Sequence, residues 1–151
     1  MDDKTAFLEL SALLTGLYHQ LSEDNEDREL NKPTAEVYAR QLRGVFPTKF
    51  PALLEAYKAL ATANPKPPID DVLLTALRGT QAFTDNEVVA KQIVNIWYFS
   101  QFKAEDKDDA PLIDGGFYER GKVWPVIRAH PTGFSTQLHG YWTREPPAQT
   151  A

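Results

Sequence analysis

No cysteine occurs among the 151 residues. Disulfides, thiolate metal sites and thiol nucleophiles are therefore excluded from this chain. Histidine is scarce as well: His19, His130 and His139 are the three present. None has another histidine three or four positions away, so no zinc-site spacing exists. His19 reads as a surface residue of the first helix, and a structural hydrogen bond is the default for the other two. Positive charge is in the minority, with 16 basic against 21 acidic residues and a net charge of -5. No basic face is evident to oppose phosphate, which argues against nucleic acid as a partner. Long apolar runs are missing too. The longest charge-free stretches, Leu10–Ser22 and Ala129–Thr143, fall short of the roughly 20 residues that span a bilayer. The start, Met1-Asp2-Asp3, is acidic where a secretion signal is basic. The sequence therefore reads as a cytosolic protein, or as a mature form with an initiating methionine added.

What is present suits one globular domain, with 42% hydrophobic and 25% charged residues. The expected fold is all-α: a bundle of about five helices over residues 1–103, then a long irregular tail over 104–151. Phe7, Leu10, Leu14, Leu17 and Leu21 repeat at 3-4-3-4 spacing, which predicts one helix with one apolar stripe. The acidic run Ser22–Glu29 reads as a solvated loop. A second helix is expected from about Pro33-Thr34, with Tyr38, Leu42 and Val45 inward, ending at Gly44 and Pro47. Leu53, Tyr57 and Leu60 mark a third from about Pro51, stopped by Asn64-Pro65. Ile69, Val72, Leu73, Ala76 and Leu77 mark a short fourth, with Asp70 and Asp71 at its positive end. For the fifth, Thr84 and Glu87 read as a capping box before Val89, Ile93 and Ile96. Its apolar residues lie on more than one face, so it is expected to be central.

After Phe102 the pattern changes. Ala104–Asp109 is an acidic loop. Proline and glycine then recur every few residues, and Pro125 restricts Lys122–Arg128 to an edge strand at most. Yet ten of the chain's 17 aromatic residues fall between Trp97 and Trp142. Large aromatics bury much area at small entropic cost. A loop-rich segment that carries so many lays them on its own helical body or on another protein.

The chemistry-bearing patterns are weak beside that excess. Gly116–Lys122 has the glycine and lysine spacing of a phosphate-binding loop. A phosphate cradle needs an apolar strand before it, where Leu112-Ile113-Asp114-Gly115 stands, and a hydroxyl after the lysine, where Val123 stands, so a plain turn is expected. Asp70-Asp71 are adjacent on a helix and cannot face one another. Asp108-Asp109 sit in the solvated acidic run. There is no Gly-x-Ser-x-Gly elbow and no Gly-x-Gly-x-x-Gly loop. No catalytic, cofactor-binding or metal-binding residue is assigned. The tail remains, with Trp97 expected in the core and Trp124, Phe134, Tyr141 and Trp142 as partner-binding anchors. Two other readings stay open. One is a stand-alone enzyme or small-molecule binder with a pocket near Trp97, Tyr98 and Tyr118. The other is self-association through the tail.

Several short motifs run in order along the chain. They are Phe7-Leu8-Glu9-Leu10-Ser11 through Leu14-Thr15-Gly16; Ile96-Trp97-Tyr98; Tyr118-Glu119; Pro131-Thr132-Gly133-Phe134; Tyr141-Trp142; and Pro146-Pro147. In this order they resemble the small subunit of membrane-associated FAD-dependent sugar and polyol dehydrogenases, the sorbitol, fructose and glucose dehydrogenase type. The resemblance implies a non-catalytic subunit without its own cofactor. It implies a large flavoprotein partner that holds FAD, and in some complexes a cytochrome c subunit. It also implies a role in maturation, assembly or export, and a periplasmic location at the membrane through the complex. Family members carry a twin-arginine export signal, which this sequence lacks.

Overall fold

Asp2 starts the fold. Its carboxylate accepts from the Thr5 N–H at 3.0 Å and from the Thr5 hydroxyl at 2.8 Å. That caps α1, Asp3–Thr15. The computed structural model describes residues 1–128. Within them the chain is mostly helical, as expected of an all-α bundle. Gly16 then ends α1 in the left-handed conformation, φ 75°, its N–H bonded to the Ala12 carbonyl. The 3-4-3-4 stripe is therefore not one helix. Leu17 and Leu21 still reach the core, by way of a π-helical turn at His19–Glu23.

The next helix differs from expectation at its start. α2 runs Asn25–Val45 and takes in most of the acidic run. Asp24 caps it through the Asp27 N–H at 2.8 Å. Glu26 and Asp27 lie in its first turn, where negative charge opposes the helix dipole favourably. Acidic residues that bury nothing can thus begin a helix. Pro33 sits inside it.

α3 is Lys49–Ala61 and α4 is Asp71–Arg78. Asp70 caps α4 by accepting from the Val72 and Leu73 amides, both at 3.0 Å. A short α5, Gln81–Asp85, precedes α6, Glu87–Phe99. This extra turn removes the expected capping box. Thr80, not Thr84, caps α5 through the Phe83 amide, and the Thr84 hydroxyl points back to the Thr80 carbonyl. Among the described residues, five helices have eight or more residues: α1, α2, α3, α4 and α6.

Two short strands follow, β1 at Gln101–Lys103 and β2 at Leu112–Asp114, paired antiparallel with Phe102 opposite Ile113. The acidic run 104–109 is the loop between them. Lys103 holds it, its ammonium bonded to the Lys107 and Asp108 carbonyls at 3.0 and 2.7 Å. A 3₁₀ turn spans Tyr118–Arg120, and a single helical turn, α7, spans Val123–Val126. The edge strand expected over 122–128 is therefore a helical turn. Proline suits the first turn of a helix, whose amides have no partner within it.

α1 is the hub and packs against α2, α3, α4 and α6. Every residue from Ala6 to Leu13 is buried. Along its flank runs a ladder of rings drawn from α3, α1, α6, α2 and the tail. Phe50 of α3 meets Phe7 of α1 edge-on at 5.5 Å. Phe7 stacks on Trp97 of α6 at 6.4 Å, and Trp97 meets Tyr38 of α2 edge-on at 5.1 Å. Tyr38 meets Phe117 of the tail at 6.0 Å. Such pairs contribute about 0.5–1.5 kcal/mol each beyond the area they bury. No helix among the described residues is long and apolar enough to cross a membrane.

Candidate functional site

The segment after α6 is fixed to the body at Ser100. Ser100 ends α6 in the left-handed conformation, φ 52°, and is fully buried. That turn frees its polar atoms for the tail. Its carbonyl accepts from the Gly115 amide at 2.6 Å, and its hydroxyl accepts from the Phe117 amide at 2.9 Å. The same hydroxyl lies 2.9 Å from the Tyr38 phenol. Gln41 adds a bond from its amide nitrogen to the Gly115 carbonyl at 3.2 Å. The end of α6 makes one further bond to the tail and one to α1. The Lys122 amide donates to the Trp97 carbonyl at 2.9 Å, and the Tyr98 phenol donates to the Thr15 carbonyl at 3.0 Å.

Two glycines make this close approach feasible. A Cβ at Gly115 would lie 2.6 Å from the Ser100 carbonyl oxygen. One at Gly121 would lie 2.7 Å from the Tyr98 carbonyl oxygen. The inner side of residues 115–122 is thus docked on the chain's own core, capped by the Arg120 guanidinium 4.9 Å from the Phe117 ring centre.

Between Tyr118 and Ile127 the surface carries several apolar side chains. Trp124 is half-buried, donates to the Tyr118 carbonyl at 2.9 Å and meets the Tyr118 ring edge-on at 5.3 Å. Tyr118 is 40% exposed, Val126 62% and Ile127 57%. Trp97, by contrast, is 1% exposed and belongs to the core, as expected. The anchors Phe134, Tyr141 and Trp142 lie outside the described residues, as do His130 and His139.

The phosphate-loop spacing has a structural explanation. The Gly115, Phe117 and Lys122 amides are already bonded as described, and the Gly116 amide donates to Asp114 at 2.8 Å. A phosphate cradle needs such amides free. The Lys122 ammonium donates to the Asn31 side-chain oxygen at 3.0 Å. Burial lowers the pKa of Lys122, and the nearby Arg120 charge lowers it further, against the pull of Asp27. The segment is the plain turn expected. His19 is exposed. Among the described residues no cluster of three or more His, Asp or Glu side chains is placed to hold a metal ion.

Neither of two surface cavities adjoins Trp97, Tyr98 or Tyr118. One, of about 480 Å³, lies between α1, α2 and α3. The other, of about 430 Å³, lies beside Phe83 and Val94. One buried group escaped the sequence reading. Glu9, 6% exposed, accepts from the Tyr57 phenol at 2.9 Å and pairs with Lys66 at 2.6 Å. Burial raises the pKa of Tyr57, and the adjacent Glu9 charge raises it further. A lone glutamate inside the apolar run Ala6–Leu10 was the available sign. Lys66 ties the proline-rich connector to the core.

No protein-family model, curated protein or solved structure matches this chain.

Proposed function

We propose that this chain is the non-catalytic small subunit of a periplasmic FAD-dependent sugar or polyol dehydrogenase complex. Its role is to support maturation, assembly or export of the large flavoprotein. The observation that carries the proposal is the two-sided tail. Residues 115–122 are pinned to the core by backbone contacts, while Tyr118, Val126 and Ile127 are exposed and Trp124 lies half-buried among them, within ten residues of sequence. Apolar side chains concentrated in this way mark an interaction surface more often than scattered ones do. Trp and Tyr are the residue types that most often anchor interfaces. The ordered motifs then suggest which partner. In this reading FAD sits in the large subunit, and a cytochrome c subunit receives its electrons. The complex, not this chain, holds the membrane.

Co-expression tests the proposal. The flavoprotein produced with this chain is expected to show higher soluble yield, flavin content and sugar-oxidising activity than the flavoprotein produced alone. Equal values in the two preparations would refute it.

A further inference from the structure

We infer that the exposed surface of residues 118–128 docks on an apolar depression of its partner protein that is edged with carboxylates. This rests on the dehydrogenase reading, which supplies the flavoprotein as that partner. The surface joins accessible apolar side chains to positive charge. Tyr118 and Trp124 are in ring contact. The Ile127 amide bonds to the Val123 carbonyl at 3.0 Å, so the helical turn reaches residue 127. Trp124 and Ile127, three apart on that turn, are therefore neighbours. Val126 and Ile127 are both more than half exposed.

The charge is local and runs against the rest of the chain. Residues 118–128 hold Arg120, Lys122 and Arg128 against one acidic residue, Glu119, in a protein of net charge -5. Lys122 is half-buried and committed to Asn31, and Arg120 is held over the Phe117 ring. Arg128 is exposed and adopts the left-handed backbone, φ 54°. Among the described residues only Ser100 shares that conformation without being glycine, and there it serves tail docking. A strained backbone of this kind is a mark of functional positions. Arginine beside tryptophan and tyrosine is also the usual composition of an interface anchor. Apolar contact then supplies affinity, while carboxylates facing Arg120 and Arg128 fix orientation and speed encounter. A second copy of the chain would bring like charge to the patch. An anionic bilayer has the right sign, but segments that bind one carry roughly four to eight clustered basic residues, and this surface has three.

Association of the full chain with the flavoprotein, followed by surface-based kinetics at low and high salt, tests it. The rate for the parent is expected to fall about tenfold between about 0.05 M and 0.5 M NaCl. Arg128→Glu is expected to slow association about tenfold at low salt and to flatten the salt dependence, while Arg128→Lys stays near the parent. Arg78→Glu makes the same charge change at an exposed position of α4 and is expected to alter the rate less than twofold. All three sites are exposed, so the variants are expected to melt with the parent. A parent that binds with a rate independent of salt and of Arg128→Glu would overturn the inference and leave the flavoprotein reading standing. Equal slowing by Arg78→Glu would overturn it too, since net charge alone would then be at work. No binding by the parent would refute both. Cosedimentation of the parent with phosphatidylglycerol vesicles, lost in Arg128→Glu, would assign the surface to lipid and overturn the inference as well.

Discussion

Gly121 lies directly against the carbonyl oxygen of Tyr98, where a Cβ would be only 2.7 Å away. The tail can lie on the end of α6 only because residue 121 has no side chain. Gly121→Ala is expected to cost about 1–3 kcal/mol, the usual penalty of overpacking a rigid contact. Urea unfolding followed by tryptophan fluorescence measures it. A variant as stable as the parent would show that the tail does not dock there.

The two described tail-side tryptophans should separate cleanly. Trp97 is in the core ladder, so Trp97→Ala is expected to cost about 3–5 kcal/mol. Trp124 is half-buried and rests mainly on the exposed Tyr118. Trp124→Ala in the isolated chain is expected to cost about 1 kcal/mol or less, within the range of surface substitutions and single hydrogen bonds. Thermal melts of both variants check this, and equal losses would contradict the assignment of one ring to core and the other to surface.

At the N-terminus the Thr5 amide and hydroxyl hold the Asp2 carboxyl down at about 2, against an ordinary 3.8. A folded-state pKa below the unfolded value means stabilisation at pH above about 4 that fades toward about pH 2. Solvent screening at this exposed site keeps the effect modest. Asp2→Asn retains a capping oxygen without the titration, so its stability should fall less than the parent's across that window. Asp2→Ala should cost about 1 kcal/mol at neutral pH. Denaturant melts at several pH values measure both. Parallel pH curves for parent and Asp2→Asn would remove Asp2 as the source.

Glu9 is a buried carboxylate served by two partners, and one of them is half exposed. Lys66→Ala leaves the charge with Tyr57 alone. We expect a loss of about 1–2 kcal/mol, reduced by the solvent access of the lysine. Lys66→Ala in a Glu9→Gln background should cost much less, since the amide needs no counter-charge. The double-mutant cycle reads the coupling directly, and additive losses would show that the pair contributes nothing.

Much of the bundle was legible because apolar spacing and helix-breaking residues report local geometry. Asn64-Pro65 follows α3, as expected of a helix stop. The failures share a cause. Ser22–Glu29 reads as a loop by polarity, but Asp24 as a cap and acidic residues at a helix start favour α2. Thr84 and Glu87 have the right spacing for a box, yet Thr80 starts a turn four residues earlier and takes Thr84 into it. The three-residue strands are too short to show alternation. Trp97 was readable as core because it extends the apolar pattern of Val89, Ile93 and Ile96. The roles of Ser100, Gly115 and Gly121 were not readable, because each is defined by a backbone atom or ring far away in sequence. Glu9 likewise acquires its meaning only from Tyr57 and Lys66.

The most direct measurement is the affinity of the purified chain for the proposed flavoprotein partner, with and without Trp124→Ala. A stable complex is expected, weakened at least about tenfold by a substitution that leaves the melting temperature nearly unchanged. A parent chain that does not bind the flavoprotein, or a Trp124→Ala chain that binds it as tightly, would contradict it.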